Sequence, residues 1–158
     1  MTTMQELMDR LPQQGQVTWI GVRPATRQPV SVVTSVMAQR GSGLSGDRFK
    51  ARRNDREVTL IQSEHIDSVA SMMGTSEIQP ETLRRNVVVK GLNLLALKGK
   101  RFAIGGAILQ YTGLAHPCSR MEEALGPGGY NAMRGHGGIT ASIESSGTIS
   151  VGDKVHAL

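Results

Sequence analysis

The chain has 158 residues, a length suited to one domain that buries most of its apolar surface without disulfides or structural metals. Its single cysteine excludes an internal disulfide framework and points to a reducing compartment, the cytoplasm. No apolar run reaches the length of a membrane span, and a formal charge of +5 favours anionic partners.

From the N-terminus, Met4, Leu7, Met8 and Leu11 recur at helical spacing, while Glu6, Asp9 and Arg10 interrupt any secretory-type apolar run. Residues 1–12 are therefore expected to form a short amphipathic helix lying on the domain. Beyond them, nineteen glycines punctuate short runs rich in Val, Ile and Thr. Strands are expected at 16–22, 30–37, 57–61, 86–89, 101–104, 107–111, 139–143 and 154–156, with Gly105-Gly106 joining two of them in a tight hairpin. Two helices interrupt this series. Ser63 is expected to cap the first, whose Ile66, Val69, Ala70 and Met73 share a face and which Gly74 ends. The second spans about 119–125, stopped by Gly126-Pro127-Gly128-Gly129. Many short strands and few long helical patterns indicate a mainly β fold, a closed or partly closed barrel with a few short helices, formed as one domain over residues 1–158.

The sequence Gly41-Ser42-Gly43-Leu44-Ser45-Gly46 matches a dinucleotide-binding glycine pattern, but residues 47–56 carry no apolar helical stripe, so that reading fails. The segment reads instead as a loop in which Asp47 braces the turn and Arg48 reaches an anion. Arg48, Lys50 and Arg52 alternate and would line one side of an extended backbone. Arg84-Arg85-Asn86 forms a second basic cluster beside the apolar run 87–89, offering forked donors that suit phosphate. Arg52, Arg53 and Arg56 are expected on a solvated face. Few aromatic residues and no nucleic-acid-binding motif argue against a nucleic-acid partner.

Cys118 lies in Leu114-Ala115-His116-Pro117-Cys118-Ser119-Arg120, where adjacent cationic groups lower the cost of a thiolate. An extended backbone would point His116, Cys118 and Arg120 to one side. The competing reading is a small buried hydrophobe. The four histidines show no zinc-ligand spacing. His65 is expected to be solvated; His136, in a glycine-rich segment, could face a pocket or pair with Cys118.

In order along the chain, residues 43–48, 56–64, 84–92, 97–105, Pro117-Cys118-Ser119-Arg120, 133–141 and 152–155 resemble the MOSC domain, the module named for the C-terminal part of molybdenum cofactor sulfurases. The resemblance implies a β-barrel related to that of pyruvate kinase. It also implies that Cys118 is the functional cysteine, either a molybdenum ligand, as in amidoxime-reducing members, or a persulfide carrier, as in sulfurases. Arg84, Arg85 and Asn86 would then lie at the molybdopterin phosphate, with Arg48, His116 and Arg120 as neighbours.

The resemblance thus implies molybdenum cofactor binding in a basic cleft and reduction of N-hydroxylated compounds. The alternatives are sulfur carriage on Cys118 and a non-catalytic module that stores or transfers the cofactor. An electron-donor or sulfur-donor protein is an expected partner. Pyridoxal phosphate is not expected, because in this family it belongs to an aminotransferase-like domain that this sequence does not resemble.

Overall fold

The computed structural model describes residues 1–48 and 56–158. Lys50 and Arg52 of the expected basic row, and Arg53 of the expected solvated face, lie outside the described residues, and Arg56 is exposed.

The architecture follows from two neighbouring apolar strands. In β5 (Val58–Gln62) and β6 (Val87–Lys90), Val58, Leu60, Val87 and Val89 enter one core cluster, while Ile61 and Val88 enter another. A strand covered on both faces reads as a continuous apolar run rather than an alternating one. β5 and β6 are parallel, with Leu60 opposite Val87 and Gln62 opposite Val89. Parallel neighbours need a crossover, supplied here by α2 (Ser63–Met73) and α3 (Pro80–Leu83).

From this pair an antiparallel barrel closes. β1 (Gly15–Val22) runs beside β6, and β9 (Ile139–Ser145) runs beside β5. On from β9 come β8 (Ala107–Leu114), β7 (Arg101–Ile104) and β11 (Lys154–Ala157), and β11 returns to β1 with Gly15 opposite Val155. Seven strands among the described residues form this ring. Its interior holds Ile20, Leu60, Phe102, Ile104, Leu109 and Ile139, all fully buried. The second cluster lies under the helices, where Ile66, Val69 and Leu83 meet Met121 of α4 (Ser119–Leu125) and Met133 of α5 (Gly129–Met133).

The sequence reading differs from the structure in three places. The strand expected at 30–37 breaks at Thr34 into β2 (Ser31–Val33), an extension of the barrel sheet, and β3 (Ser35–Gln39). β3 belongs to a separate small sheet with β4 (Gly43–Leu44) and β10 (Gly147–Ser150). In β10 Ile149 alone is an apolar side chain in the core, which leaves too little pattern to read. Ser63 is the first residue of α2 rather than its cap; Gln62 holds that position, and its side chain accepts from the Leu94 N–H at 3.1 Å instead. Gly74 ends the helix in the left-handed region, as expected. At the N-terminus α1 (Met4–Asp9) has a Thr3/Glu6 capping box but buries none of its residues; Lys100 holds it through Asp9 at 2.7 Å.

Asn86 joins the strands at one end of the barrel. Its carboxamide oxygen accepts from the Thr59 N–H at 3.0 Å and the Thr59 hydroxyl at 3.2 Å, and its amide donates to the Gly21 carbonyl at 3.1 Å. Asn86 is fully buried, so losing this carboxamide strands several polar groups without water. Asn86→Ala is expected to cost about 3 kcal/mol in urea denaturation with an unchanged m-value. A loss below about 1 kcal/mol would show that the carboxamide is dispensable.

Candidate functional site

The segment 84–86 sets the site at the start of β6. Arg84 adopts a left-handed backbone conformation, φ 55°, after the one-turn helix α3. This is uncommon for a side-chain-bearing residue and costs energy. It turns Arg84 outward while Arg85 and Asn86 turn inward. The Arg84 guanidinium donates to the Gln28 carbonyl at 2.9 Å, and its own carbonyl accepts from Arg23 at 3.3 Å.

Arg85 is 8% exposed, and its guanidinium is aimed at the chain itself. Nε donates to the Gly137 carbonyl at 2.7 Å, Nη1 to Leu83 at 3.3 Å and Nη2 to Ala115 at 3.2 Å. Three segments distant in sequence thus meet on one planar cation. Burial, then Arg23 and Arg56, lower its pKa to about 10, with Cys118 acting in the opposite direction. At neutral pH it remains charged. Asn86, described above, sits still deeper. Both residues face the protein interior beneath the site.

The loop that Arg85 holds leads to Cys118. Ala115 is buried, with its N–H on the Gly138 carbonyl at 2.9 Å. Gly137 lies so close that a Cβ there would overlap the Ala115 carbonyl and crowd the Arg85 guanidinium. Gly138 has φ +90°, and a Cβ there would overlap the Leu60 carbonyl. The glycines at 137 and 138 are therefore what allows the two segments to touch. From this anchored base, His116 and Cys118 are exposed. Cys118 is a free thiol, extended at φ −129° and ψ −176°, and occupies the N-cap of α4. Exposure rules out the buried-hydrophobe reading. Because α4 begins at Ser119, the expected one-sided row of His116, Cys118 and Arg120 does not continue past Cys118.

Ser119 and Arg120 turn into a cleft of about 550 Å³ that Arg27 and Arg84 also line, with Glu123 at its edge. Arg84 has a lowered pKa, first through burial and then through Arg23, Arg120 and Arg48, with Asp47 opposing. Arg48, Arg84 and Arg120 therefore share one positive field. Arg23 is tied to Asp47, whose side chain is 1% exposed, at 3.2 Å, and its backbone N–H donates to the same carboxylate at 2.7 Å. Asp47 braces the turn as expected, through a partner the sequence did not reveal. Arg27, also left-handed at φ 62°, lines the cleft and was missed by sequence reasoning. No spacing rule links residues 23–27 to residue 84; the β1–β6 pairing brings them together.

The histidines behave differently from expectation. His65 is half-buried rather than solvated, and its ring meets that of His136 edge-on at 5.0 Å. His136 Nδ1 is 3.2 Å from the Ala132 carbonyl. With its ring so engaged, His136 is bonded within its own segment, and no hydrogen bond links it to Cys118 among the described residues. No group of three or more His, Cys, Asp or Glu side chains able to hold a metal occurs among the described residues. No helix of the described chain is long and apolar enough to cross a membrane.

Residues 37–156 match the MOSC domain. The chain belongs to the MOSC domain family. It is 30% identical over 115 residues to a protein of Bacillus subtilis (strain 168) named "Putative metal-sulfur cluster biosynthesis proteins YuaD". That match covers 65% of this chain and 60% of the relative, so the chain spans about three fifths of the curated protein. The crystal structure of YuaD from Bacillus subtilis superposes with a TM-score of 0.79 at 22% identity, covering 94% of this chain and 99% of that one. YiiM from Geobacillus stearothermophilus gives a TM-score of 0.74 at 19% identity, covering 91% and 75%. YiiM from Escherichia coli gives 0.69 at 18%, covering 90% and 69%. These structures share the barrel fold.

His65 makes stability depend on pH. Burial, and secondarily His136, hold the His65 pKa below its ordinary value, with Glu64 opposing. The unfolded chain then binds the proton more readily than the folded one, so stability falls as pH drops below about 6.5. His65→Leu is expected to flatten the decline of Tm between about pH 7 and pH 5. An equally steep decline in the variant would assign that pH dependence to other groups.

Proposed function

We propose that this MOSC protein binds molybdenum cofactor in the arginine cleft, with Cys118 as the metal ligand, and reduces N-hydroxylated compounds. The observation that carries the reading is an exposed free thiol on a fixed loop immediately before two residues that line a cleft of about 550 Å³, which three arginines among the described residues line. The volume lies in the range of small-molecule sites. Forked guanidinium donors suit a phosphate, and a thiolate suits a soft metal centre, so the donor set fits a phosphorylated metallopterin.

In this reading Arg84, Arg120 and Arg48 hold the phosphate, while His116 lines a small cavity on the other side of the Cys118 loop. Arg85 and Asn86 serve the cofactor from beneath by fixing the strand end and the cysteine loop. The cofactor, when bound, supplies the two-electron redox chemistry. The balanced reaction is R–NHOH plus two electrons and two protons giving R–NH2 and water. The electrons come from a partner protein. The chain's own contribution is ligation, orientation and charge compensation.

A second reading is favoured by the name of the Bacillus subtilis relative, which refers to metal-sulfur cluster biosynthesis. In it, the Cys118 thiolate takes sulfane sulfur from a donor persulfide, the donor thiolate leaves, and no net oxidation occurs. The exposed position of Cys118 suits a sulfur that must pass between proteins.

Protein purified from a cofactor-competent host is expected to retain molybdenum and pterin. Cys118→Ser should lose the metal, and Arg84→Ala combined with Arg120→Ala should lose both metal and pterin at unchanged Tm. Wild-type protein free of molybdenum and pterin would overturn the first reading. Cyanide-labile sulfur on Cys118 in that metal-free protein would establish the second.

A further inference from the structure

The loop that carries Cys118 has two sides. Ser119 and Arg120, after the cysteine, line the arginine cleft; His116 and Pro117, before it, line a separate cavity of about 120 Å³. Cys118 is the residue between them.

The two spaces differ in chemistry. Arg27, Arg84, Arg120 and Glu123 line the cleft, whereas no Lys, Arg, Asp or Glu among the described residues lines the smaller cavity. Its side-chain walls are Leu95, Leu114 and Pro117, and His116 is its one titratable group among the described residues. The opposite wall is the glycine segment, in which Gly135, Gly137 and Gly138 present bare backbone. The same close approach that excludes a Cβ at Gly137 and Gly138 leaves this wall without side chains. Such a site favours a flat, neutral group and disfavours an ion, which would lose its hydration without gaining a partner. The volume matches a small guest: about 120 Å³ corresponds to roughly four water molecules at ~30 Å³ each, the scale of one substituted six-membered ring.

We propose that this cavity binds a single uncharged ring, the ring that carries the reacting group of the substrate. The assignment of that ring to an N-hydroxylated substrate rests on the first reading above; the preference for one neutral ring does not. The phosphate-bearing ligand occupies one side of the Cys118 loop and the neutral ring the other, so charge alone sorts the two ligands.

Benzamide, a neutral one-ring probe, tests this on the full-length protein by heteronuclear NMR. It is expected to shift the amides of Gly135, Gly137 and Gly138, while benzoate at the same concentration leaves them in place. Inorganic phosphate should instead shift Ser119 and Arg120. Leu114→Trp and Leu95→Trp each alter a partly exposed wall residue, at 44% and 39% exposure, and should each weaken benzamide binding at least tenfold. Unmoved glycine amides, equal binding of benzoate, or undiminished binding in both folded variants would overturn the proposal. Failure of the molybdenum reading would appear separately, as metal-free protein that still binds benzamide.

Discussion

The site depends on one buried cation. Arg85 hydrogen-bonds to the carbonyls of Leu83, Ala115 and Gly137, which lie at the end of α3, in the cysteine loop and in the glycine segment before β9. A buried guanidinium is tolerated only when its donors and charge are answered, and here three carbonyls answer it. The cost of burial is visible in its lowered pKa. That cost secures a geometry: the base of the Cys118 loop cannot leave the barrel without stranding a charge. Gly137 and Gly138 complete the arrangement by removing the side chains that would hold the segments apart.

The adjacent residues divide the remaining work by direction. Asn86 points down and ties β5 and β1 to the start of β6 through Thr59 and Gly21. Arg84, forced outward by its left-handed backbone, contributes to the cleft. Three consecutive polar residues thus connect the barrel core, the cysteine loop and the basic surface. The cleft's charge is partly uncompensated by design of the fold: Asp47 answers Arg23, while Arg84, its pKa lowered by burial and then by Arg23, Arg120 and Arg48, stands in a positive field that favours an anion.

Much of the barrel was legible in the sequence, because Val- and Ile-rich runs bounded by glycine report strands directly. The valines at 87–89 and the helix with Ile66 and Val69 fell where their patterns placed them. The small sheet was not legible: two-residue β4 and polar β10 carry almost no periodic signal and exist through pairing with β3. At the site, the importance of residues 84–86 and 118 was readable, but the direction of each side chain was not. Arg84 and Arg85 are chemically identical neighbours that end on opposite sides of a surface, and only the backbone turn at Arg84 decides it. Arg23 and Arg27 were invisible for another reason, since their proximity to Arg84 is made by strand pairing rather than by spacing. His65 failed through packing, its helix face being covered by the glycine-rich segment that carries His136.

The central claim is that Arg85 pins the cysteine loop, and amide hydrogen exchange in Arg85→Met measures it most directly. The account predicts a selective loss of protection at Ala115 and at the His136 to Gly138 segment, with β1, β7 and β11 protected as in the wild type. Unchanged protection at Ala115, or an equal loss across every barrel strand, would contradict it.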